Sequence, residues 1–498
     1  MGFSFGLGKE PRMKINTDTR RLLKSRFLRA FERNDVIAIM HLLHPEPMYL
    51  SLKTWQNILQ GSEKESATVG VSDAVAELAN RKMLIERPYT DQQELELARS
   101  QAIKTLDRPT ILYLMLAQSC NFACSYCPIP ALTKRYGEQL LPFEDAVAGI
   151  RLWQKHIEEY PRDNAPYFLI FYGGEPLLNR TVLEQLLPYI TGEQNVGHLP
   201  QTLELMLCTN GVLIDEGLAE LFARYRVTVA LGIDGPPEHN DSIRITKNGE
   251  PTFAGINRAI NLLVGNNINV VASVTITPLN LNDIAGYPKL LRSLGIAKFG
   301  FNLMKGKALL QMLASVNGDI ENYYRMAARG VIAGLTETKK SEKPYEYQLE
   351  KKITALHAGL PFSVDCICYG NQLVIQADGQ VSNCPFLRHD QGHVKELPDS
   401  FRIGRTGTVA SWRKRLPLLD DSLLADCDSS VLNGGGCAWH SYELHGNTTT
   451  TDKGNAIFTN EVIHELIWTL LPEAEATAFR RGEITHWNYR GVRSLNTS

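Results

Sequence analysis

No apolar run in the 498 residues approaches the roughly 18 consecutive positions that a membrane-spanning helix needs, which excludes a helical integral membrane protein. Excess charge of one sign is missing as well. Lys and Arg total 52 against 54 Asp and Glu, so the chain lacks the electrostatic footprint of a nucleic-acid binder. A disulfide framework is also absent: the nine cysteines bunch in two groups, with only Cys208 in the long stretch between them. The opening residues, MGFSFGLGKEPRMKINTDTRRLLKSRF, lack the apolar core and small-residue cleavage site of a secretory peptide, and Met1-Gly2 gives only a weak myristoylation signal. The expectation is a reducing cytoplasm in which cysteines serve metal or cluster ligation, in a chain with no nucleic-acid or membrane partner. With 44% hydrophobic and 21% charged residues, the length suffices for two or three domains around a large core.

What is present starts with QSCNFACSYCPIP, which places Cys120, Cys124 and Cys127 three and two residues apart. A closed structural zinc site takes four ligands; three thiolates leave one coordination position open. The surrounding pattern is regular. From Ile111 to about Leu303, the runs ILYLML, YFLIFY, LELMLC, VTVALG, NVVASVT and KFGFNLM read as strands. They alternate with segments of helical periodicity: FEDAVAGIRLWQKHIEEY, NRTVLEQLLPYI, IDEGLAELFARY, FAGINRAINLLVGN and NDIAGYPKLLRSLG. Alternation of this kind predicts an α/β fold with a parallel sheet, doubly wound or curled into a partial barrel. CNFACSYC, GGEP, TNG and DG follow the first four strands in turn, at the ends where such sheets build active sites.

These residues resemble the radical S-adenosylmethionine (SAM) superfamily: Cys120, Cys124 and Cys127 with Tyr126, then Gly173-Gly174-Glu175-Pro176, Thr209-Asn210-Gly211, Asp234-Gly235-Pro236 and NDSIR. The likeness covers roughly residues 108 to 305 and implies a partial (β/α)6 TIM-type barrel. It also implies a four-iron four-sulfur cluster held by the three cysteines, with SAM chelated at the open iron and cleaved to a 5′-deoxyadenosyl radical. Carried over by position, Gly173 and Gly174 let the backbone approach the methionyl group, with Glu175 nearby shaping the ammonium site. Arg244 pairs with the SAM carboxylate, and Asn210 and Asp234 contact SAM or substrate. The chain departs from the family pattern at Gly232, where a Ser is usual, and at Asn240-Asp241, where a His-Asp pair is usual.

The second group, in VDCICYGNQLVIQADGQVSNCPF and LADCDSSVLNGGGCAWH, comprises Cys366, Cys368, Cys384, Cys427 and Cys437. It is similar to the auxiliary-cluster module called SPASM, or its shorter relative twitch, with the last cysteine run depleted at Leu424 and Asn433. Five thiols cannot supply the eight ligands of two clusters. The likeness therefore implies one auxiliary four-iron four-sulfur cluster, held by Cys384, Cys437 and two of Cys366, Cys368 and Cys427. A zinc knuckle in the same place is the alternative. The fifth thiol is either an unligated core residue or a hydrogen-atom donor to a substrate radical, a role considered for Cys366, Cys368 and, less well placed, Cys208.

Before the barrel, VIAIMHLLHPEPMYLSLKTWQNILQG and VSDAVAELANRKMLIER read as paired strands, two helices and a short closing strand. This order resembles winged-helix elements that hold leader peptides by adding a strand to a sheet edge; a structural cap is the other reading. The expected divisions are an N-terminal region over 1–107, the radical SAM core over 108–305, a helical linker over 306–360, the auxiliary module over 361–450 and a helical tail over 451–498. Within the linker, TETKKSEKPYEYQ reads as a charged connecting passage, and in the tail NEVIHELIWTLL reads as an amphipathic helix. The functional expectation is a maturase acting on a leader-bearing ribosomal precursor peptide by cross-linking, thioether formation or epimerisation, with an external flavodoxin- or ferredoxin-type electron donor. Alternatives are a small-molecule dehydrogenase, a sulfatase-type maturase and a non-catalytic zinc-binding adaptor.

Overall fold

The computed structural model describes residues 22–60, 69–159, 166–339, 345–361, 364–425, 430–484 and 486–488. The N-terminal part opens with β1 (Leu23–Lys24), then β2 (Leu28–Arg33), β3 (Val36–His41) and β4 (His44–Ser51). Asn34 and Asp35 join β2 to β3 with φ of 50° and 61°, the two-residue turn whose twist suits an antiparallel hairpin. Helices Leu52–Gln60 and Val69–Asn80 follow, and β5 (Leu84–Ile85) returns to pair antiparallel with β1. All six residues of β3 are buried because the sheet is covered twice. Ile37, Ile39, Met48 and Leu50 pack on Trp55 and Leu78 of the two helices. On the opposite face, Ala38, Met40 and Tyr49 meet Leu356, Ile463 and Ile467 from much later in the chain. The order of strands and helices follows the sequence expectation.

The barrel strands are β6 (Ile111–Ala117), β7 (Tyr167–Gly173), β8 (Leu203–Thr209), β9 (Thr228–Gly232), β10 (Val270–Ile276) and β11 (Lys298–Leu303). Each pairs in parallel with the next. Their alternation is legible in β8, where Leu203, Leu205 and Leu207 are buried under the outer helices while Glu204, Met206 and Cys208 turn to the less crowded interior. The sheet does not close on itself. At one side β12 (Tyr345–Glu346) adds to β11, and at the other β13 (Gln372–Ile375) adds in parallel to β6, with β14 (Val381–Ser382) turning back beside it. The segment bearing the second cysteine group is thereby anchored to the first barrel strand.

One expectation changes. The charged passage Thr336–Gln348 is not simply a connector: helix Ile320–Lys339 runs through its start, and β12 and helix Tyr347–Ala358 take up its end. The N-cap of that last helix is Glu346, whose carboxylate accepts from the backbone N–H groups of Gln348, Leu349 and Phe301. Glu is outside the usual capping set, so composition alone hid this start. Burial pushes its carboxyl up to about 7. Helix Lys453–Thr469, expected as amphipathic, is apolar on two faces. Phe458, Val462 and Leu466 join the barrel core, and Ile463 and Ile467 join the core beneath the N-terminal sheet. The last strand, β15 (His486–Asn488), pairs with β4.

His156 ties the barrel helix Phe143–Glu159 to the segment after β14. The Ile403 N–H donates to its Nε2 at 3.1 Å, so Nδ1 carries the proton and donates to the Leu152 carbonyl at 2.8 Å. Burial lowers its pKa from 6.5 to about 4. The unfolded chain therefore takes up this proton first, and the stability linked to neutral His156 is complete above pH 6.5 and falls as pH drops toward 4. We expect wild type to lose on the order of 3 kcal/mol more than His156→Gln across that window, read from urea midpoints at several pH values.

Candidate functional site

The loop after β6 carries the first three cysteines and is stitched to the segment that follows β9. The Ala123 N–H donates to the Ile245 carbonyl at 2.8 Å and the Ser125 N–H to the Ile243 carbonyl at 3.0 Å. Beneath it, Glu175 is fully buried and binds three partners: Thr209 Oγ1 at 2.7 Å, the Asn210 N–H at 2.9 Å and the Leu177 N–H at 3.0 Å. Burial raises its pKa, and those three donors act in the opposite direction. The ends of β7 and β8 are thus locked together. Gly173, at φ 148°, and Gly174 allow this loop to press on the continuation of β6: a Cβ there would lie 2.4 Å from the Ala117 carbonyl oxygen or 2.2 Å from that of Ser119. Asn210 Nδ2 donates to Asn121 Oδ1 at 2.7 Å and points at Cys120 Sγ at 3.8 Å.

A second knot joins Tyr126, Asp234 and Arg244. The Tyr126 hydroxyl donates to Asp234 Oδ2 at 2.8 Å, and Arg244 Nη1 donates to the Tyr126 oxygen at 2.5 Å and to Asp234 at 3.3 Å. The other Asp234 oxygen accepts from the Thr275 N–H at 2.6 Å. Gly232 explains itself here. A Cβ on it would stand 2.6 Å from Arg244 Nη2, so the guanidinium occupies the space that a serine at this position would need. Arg244 Nε is buried without a hydrogen-bond partner, an orphan donor on the residue expected to meet a carboxylate.

The three thiols are close enough to feel one another's charge. Burial drives Cys120 up to about 11 and Cys127 up to about 12, and it raises Cys124 as well. Such thiols become thiolates when a metal centre offsets their desolvation, and Cys120 Sγ already accepts the Phe122 N–H at 3.3 Å. Among the described residues, no three Cys, His, Asp or Glu side chains converge closely enough to hold a single metal ion. Ligands that each bind a different iron of a cluster need no such convergence.

The second group lies across the open side of the barrel. Cys366, Cys368 and Cys384 flank β13 and β14, and they pack in one cluster with Phe386 and Trp439. From the far edge, the backbone after β11 reaches the same place: the Gly306 N–H donates to His440 Nδ1 at 2.8 Å, close beside Cys437. The Leu387 N–H donates to Cys384 Sγ at 3.3 Å. Among the described thiols of this group, only Cys366 is held low, by a hydrogen bond from Cys368 and by the Lys305 ammonium. Cys427 lies outside the described residues.

Sequence reasoning missed what stands between the groups. Tyr113 and Tyr172 meet edge to face at 5.7 Å, Tyr172 meets Phe386 at 6.0 Å, and Phe386 meets Trp439 at 5.6 Å. Burial raises the Tyr172 phenol, and its surroundings include Cys208 and Cys127 as well as Cys384, so this ring stands between the two groups. Neither phenol has a hydrogen-bond partner among the described residues. The only available signal was position, since Phe386 and Trp439 each follow a cysteine by two residues.

Residues 114–287 match the model of the Radical SAM superfamily, and the three-cysteine loop lies within the match. The chain carries a radical SAM domain over these residues. Its homologues there are enzymes of radical chemistry, and the family uses SAM with a four-iron four-sulfur cluster. It is 24% identical over 250 residues to the radical SAM cyclopropyl synthase TigE of Paramaledivibacter caminithermalis, covering 47% of this chain and 48% of that one. It is 28% identical over 187 residues to a serine-type anaerobic sulfatase-maturating enzyme of Bacteroides thetaiotaomicron, covering 36% and 41%. The chain thus spans about half the length of these relatives. Among solved structures, anSMEcpe with bound AdoMet and Cp18Cys peptide superimposes with a TM-score of 0.54 at 18% identity, over 74% of this chain and 97% of that one. At that identity the likeness is one of fold.

Gly232→Ser should push the Arg244 guanidinium off Asp234 and leave that carboxylate buried without its cation. The expected outcome is a lower thermal midpoint and SAM binding weaker by about tenfold, roughly 1.4 kcal/mol, by calorimetric titration of the anaerobic protein.

Proposed function

We propose that this chain is a radical SAM peptide maturase with one auxiliary cluster, acting on an unactivated C–H bond of a ribosomally made precursor. The observation that carries this reading is the placement of two thiol groups, half-buried to buried, on either side of a barrel interior lined by Tyr113 and Tyr172. Cys120, Cys124 and Cys127 would hold the first cluster, whose chemistry with SAM is the reductive supply of a 5′-deoxyadenosyl radical. Arg244, with its unpaired Nε, would meet the SAM carboxylate, and Asn210 and Glu175 would shape the rim of that site beside Gly173 and Gly174. Asp234 and Tyr126 hold the guanidinium in place. Tyr113 and Tyr172 would donate to the substrate from the interior, and the apolar walls around them keep water out.

Cys366, Cys368, Cys384 and Cys437 would hold the auxiliary cluster. Their fit rests on burial, on the N–H donor to Cys384 Sγ, and on the Lys305 ammonium, which offsets negative charge gathered there. A peptide substrate is supported by the cyclopropyl synthase and sulfatase-maturase relatives and by the peptide bound to anSMEcpe. The N-terminal sheet and helices would receive the leader, and an external flavodoxin- or ferredoxin-type protein would supply electrons. A sulfatase-type maturase is the second reading, favoured by those relatives, but Pro385 stands after Cys384 where those enzymes are expected to place an Asp.

Iron and acid-labile sulfide after anaerobic purification test the proposal. Wild type should hold about eight irons per chain, and the Cys120→Ala, Cys124→Ala, Cys127→Ala triple variant about four. About four falling to none would remove the auxiliary cluster and the peptide reading with it.

A further inference from the structure

The backbone after β11 crosses to the second thiol group and is held on both sides of one residue. Before it, the Met304 N–H donates to the Ile276 carbonyl at 3.1 Å and to the Tyr323 hydroxyl oxygen at 2.9 Å. After it, the Gly306 N–H donates to His440 Nδ1 at 2.8 Å. Because Nδ1 accepts, the His440 proton is on Nε2, which donates to the Tyr324 hydroxyl oxygen at 3.1 Å. Gly306 has φ 77°, and a Cβ on it would stand 2.9 Å from Trp439 Cη2, so this crossing admits glycine alone. The residue pinned between these two anchors is Lys305.

Lys305 is half-buried, and the charges that act most on its ammonium are those of Cys437, Asp365, Asp452 and Cys366. Both carboxylates are already engaged elsewhere. Asp365 takes the Lys352 ammonium at 3.2 Å, and Asp452 accepts from the N–H groups of Asn455 at 2.9 Å and Cys437 at 3.4 Å. Lys305 itself makes no hydrogen bond or ion pair among the described residues. A lysine beside two carboxylates keeps its proton, and a cation withdrawn from water is unfavourable unless an anion stands against it. What remains on its list of neighbours is a pair of thiols, Cys437 and Cys366, from two separate segments of the chain.

We propose that Lys305 is the counter-charge of the auxiliary cluster and raises its reduction potential, so that the second thiol group is poised to take up an electron rather than to supply one. This rests on the auxiliary-cluster reading above. Reduction of a cluster on four thiolates adds one negative charge, and a fixed cation beside two of its ligands favours that form. The step is one electron gained, with no proton moved and no bond made or broken. The Leu387 N–H, which donates to Cys384 Sγ at 3.3 Å, acts in the same direction on a third ligand. Lys305 acts through the cluster, at a distance set by the two anchors of its backbone.

The test uses the full chain carrying Cys120→Ala, Cys124→Ala and Cys127→Ala, in which the auxiliary cluster is read alone. It is titrated anaerobically with dithionite and followed by electron paramagnetic resonance, and iron is counted first in every variant. Adding Lys305→Met should lower the midpoint by at least about tenfold in the reduction equilibrium, about 59 mV for one electron, whereas Lys305→Arg should stay within about threefold of the parent. With about four irons present, a midpoint unmoved by Lys305→Met overturns the proposal and leaves the cluster reading standing. An equal shift in Lys305→Arg also overturns it, because packing rather than charge would then be responsible. No iron in the parent overturns the cluster reading, and this proposal with it. If Lys305→Met assembles no cluster, Lys305→Gln carries the same expectation. Iron kept by Lys305→Arg but by neither neutral variant upholds the counter-charge, and iron lost from all three overturns it.

Discussion

The site depends on one buried carboxylate. Glu175 sits at the end of β7 with no exposure, and its three bonds reach the ends of two strands at once. A buried carboxylate without those donors would cost several kcal/mol, so the loops after β7 and β8 cannot drift apart without exposing that cost. Asn210 follows directly and braces Asn121 in the cysteine loop. The position of the thiols is therefore inherited from the carboxylate by way of two amides. The Tyr126–Asp234–Arg244 knot does the same work on the other flank, where Thr275 extends the bracing to β10.

The barrel was legible because its strands are short apolar runs and its helices keep their period; all six strands fall within a residue or two of where ILYLML through KFGFNLM place them. The ordered motifs at strand ends were legible for the same reason. Contacts between distant segments were not. Nothing in QLVI announces that it will add to β6, and nothing in HWN that it will cover β4, because edge pairing is chosen by the sheet that needs covering. The aromatic ladder from Tyr113 to Trp439 was hidden similarly: its members come from four separate segments, and each alone reads as an ordinary core residue. Gly232 was read as a departure from the family pattern, and the structure supplies its reason in the guanidinium packed over it.

Helix Lys453–Thr469 makes the N-terminal sheet and the barrel parts of one body. Its Phe458, Val462 and Leu466 belong to one core and its Ile463 and Ile467 to the other. The N-terminal sheet and the barrel accordingly keep a fixed separation.

The open side of the barrel has a chemical meaning of its own. Other barrels close by pairing their first and last strands; here the gap between β11 and β6 is flanked by β12 and β13 and by packing around Cys366, Cys368 and Cys384. A wall that includes thiols is one that oxidants can breach. Oxidation at this group would loosen the packing that closes the open side of the barrel beside Tyr113 and Tyr172.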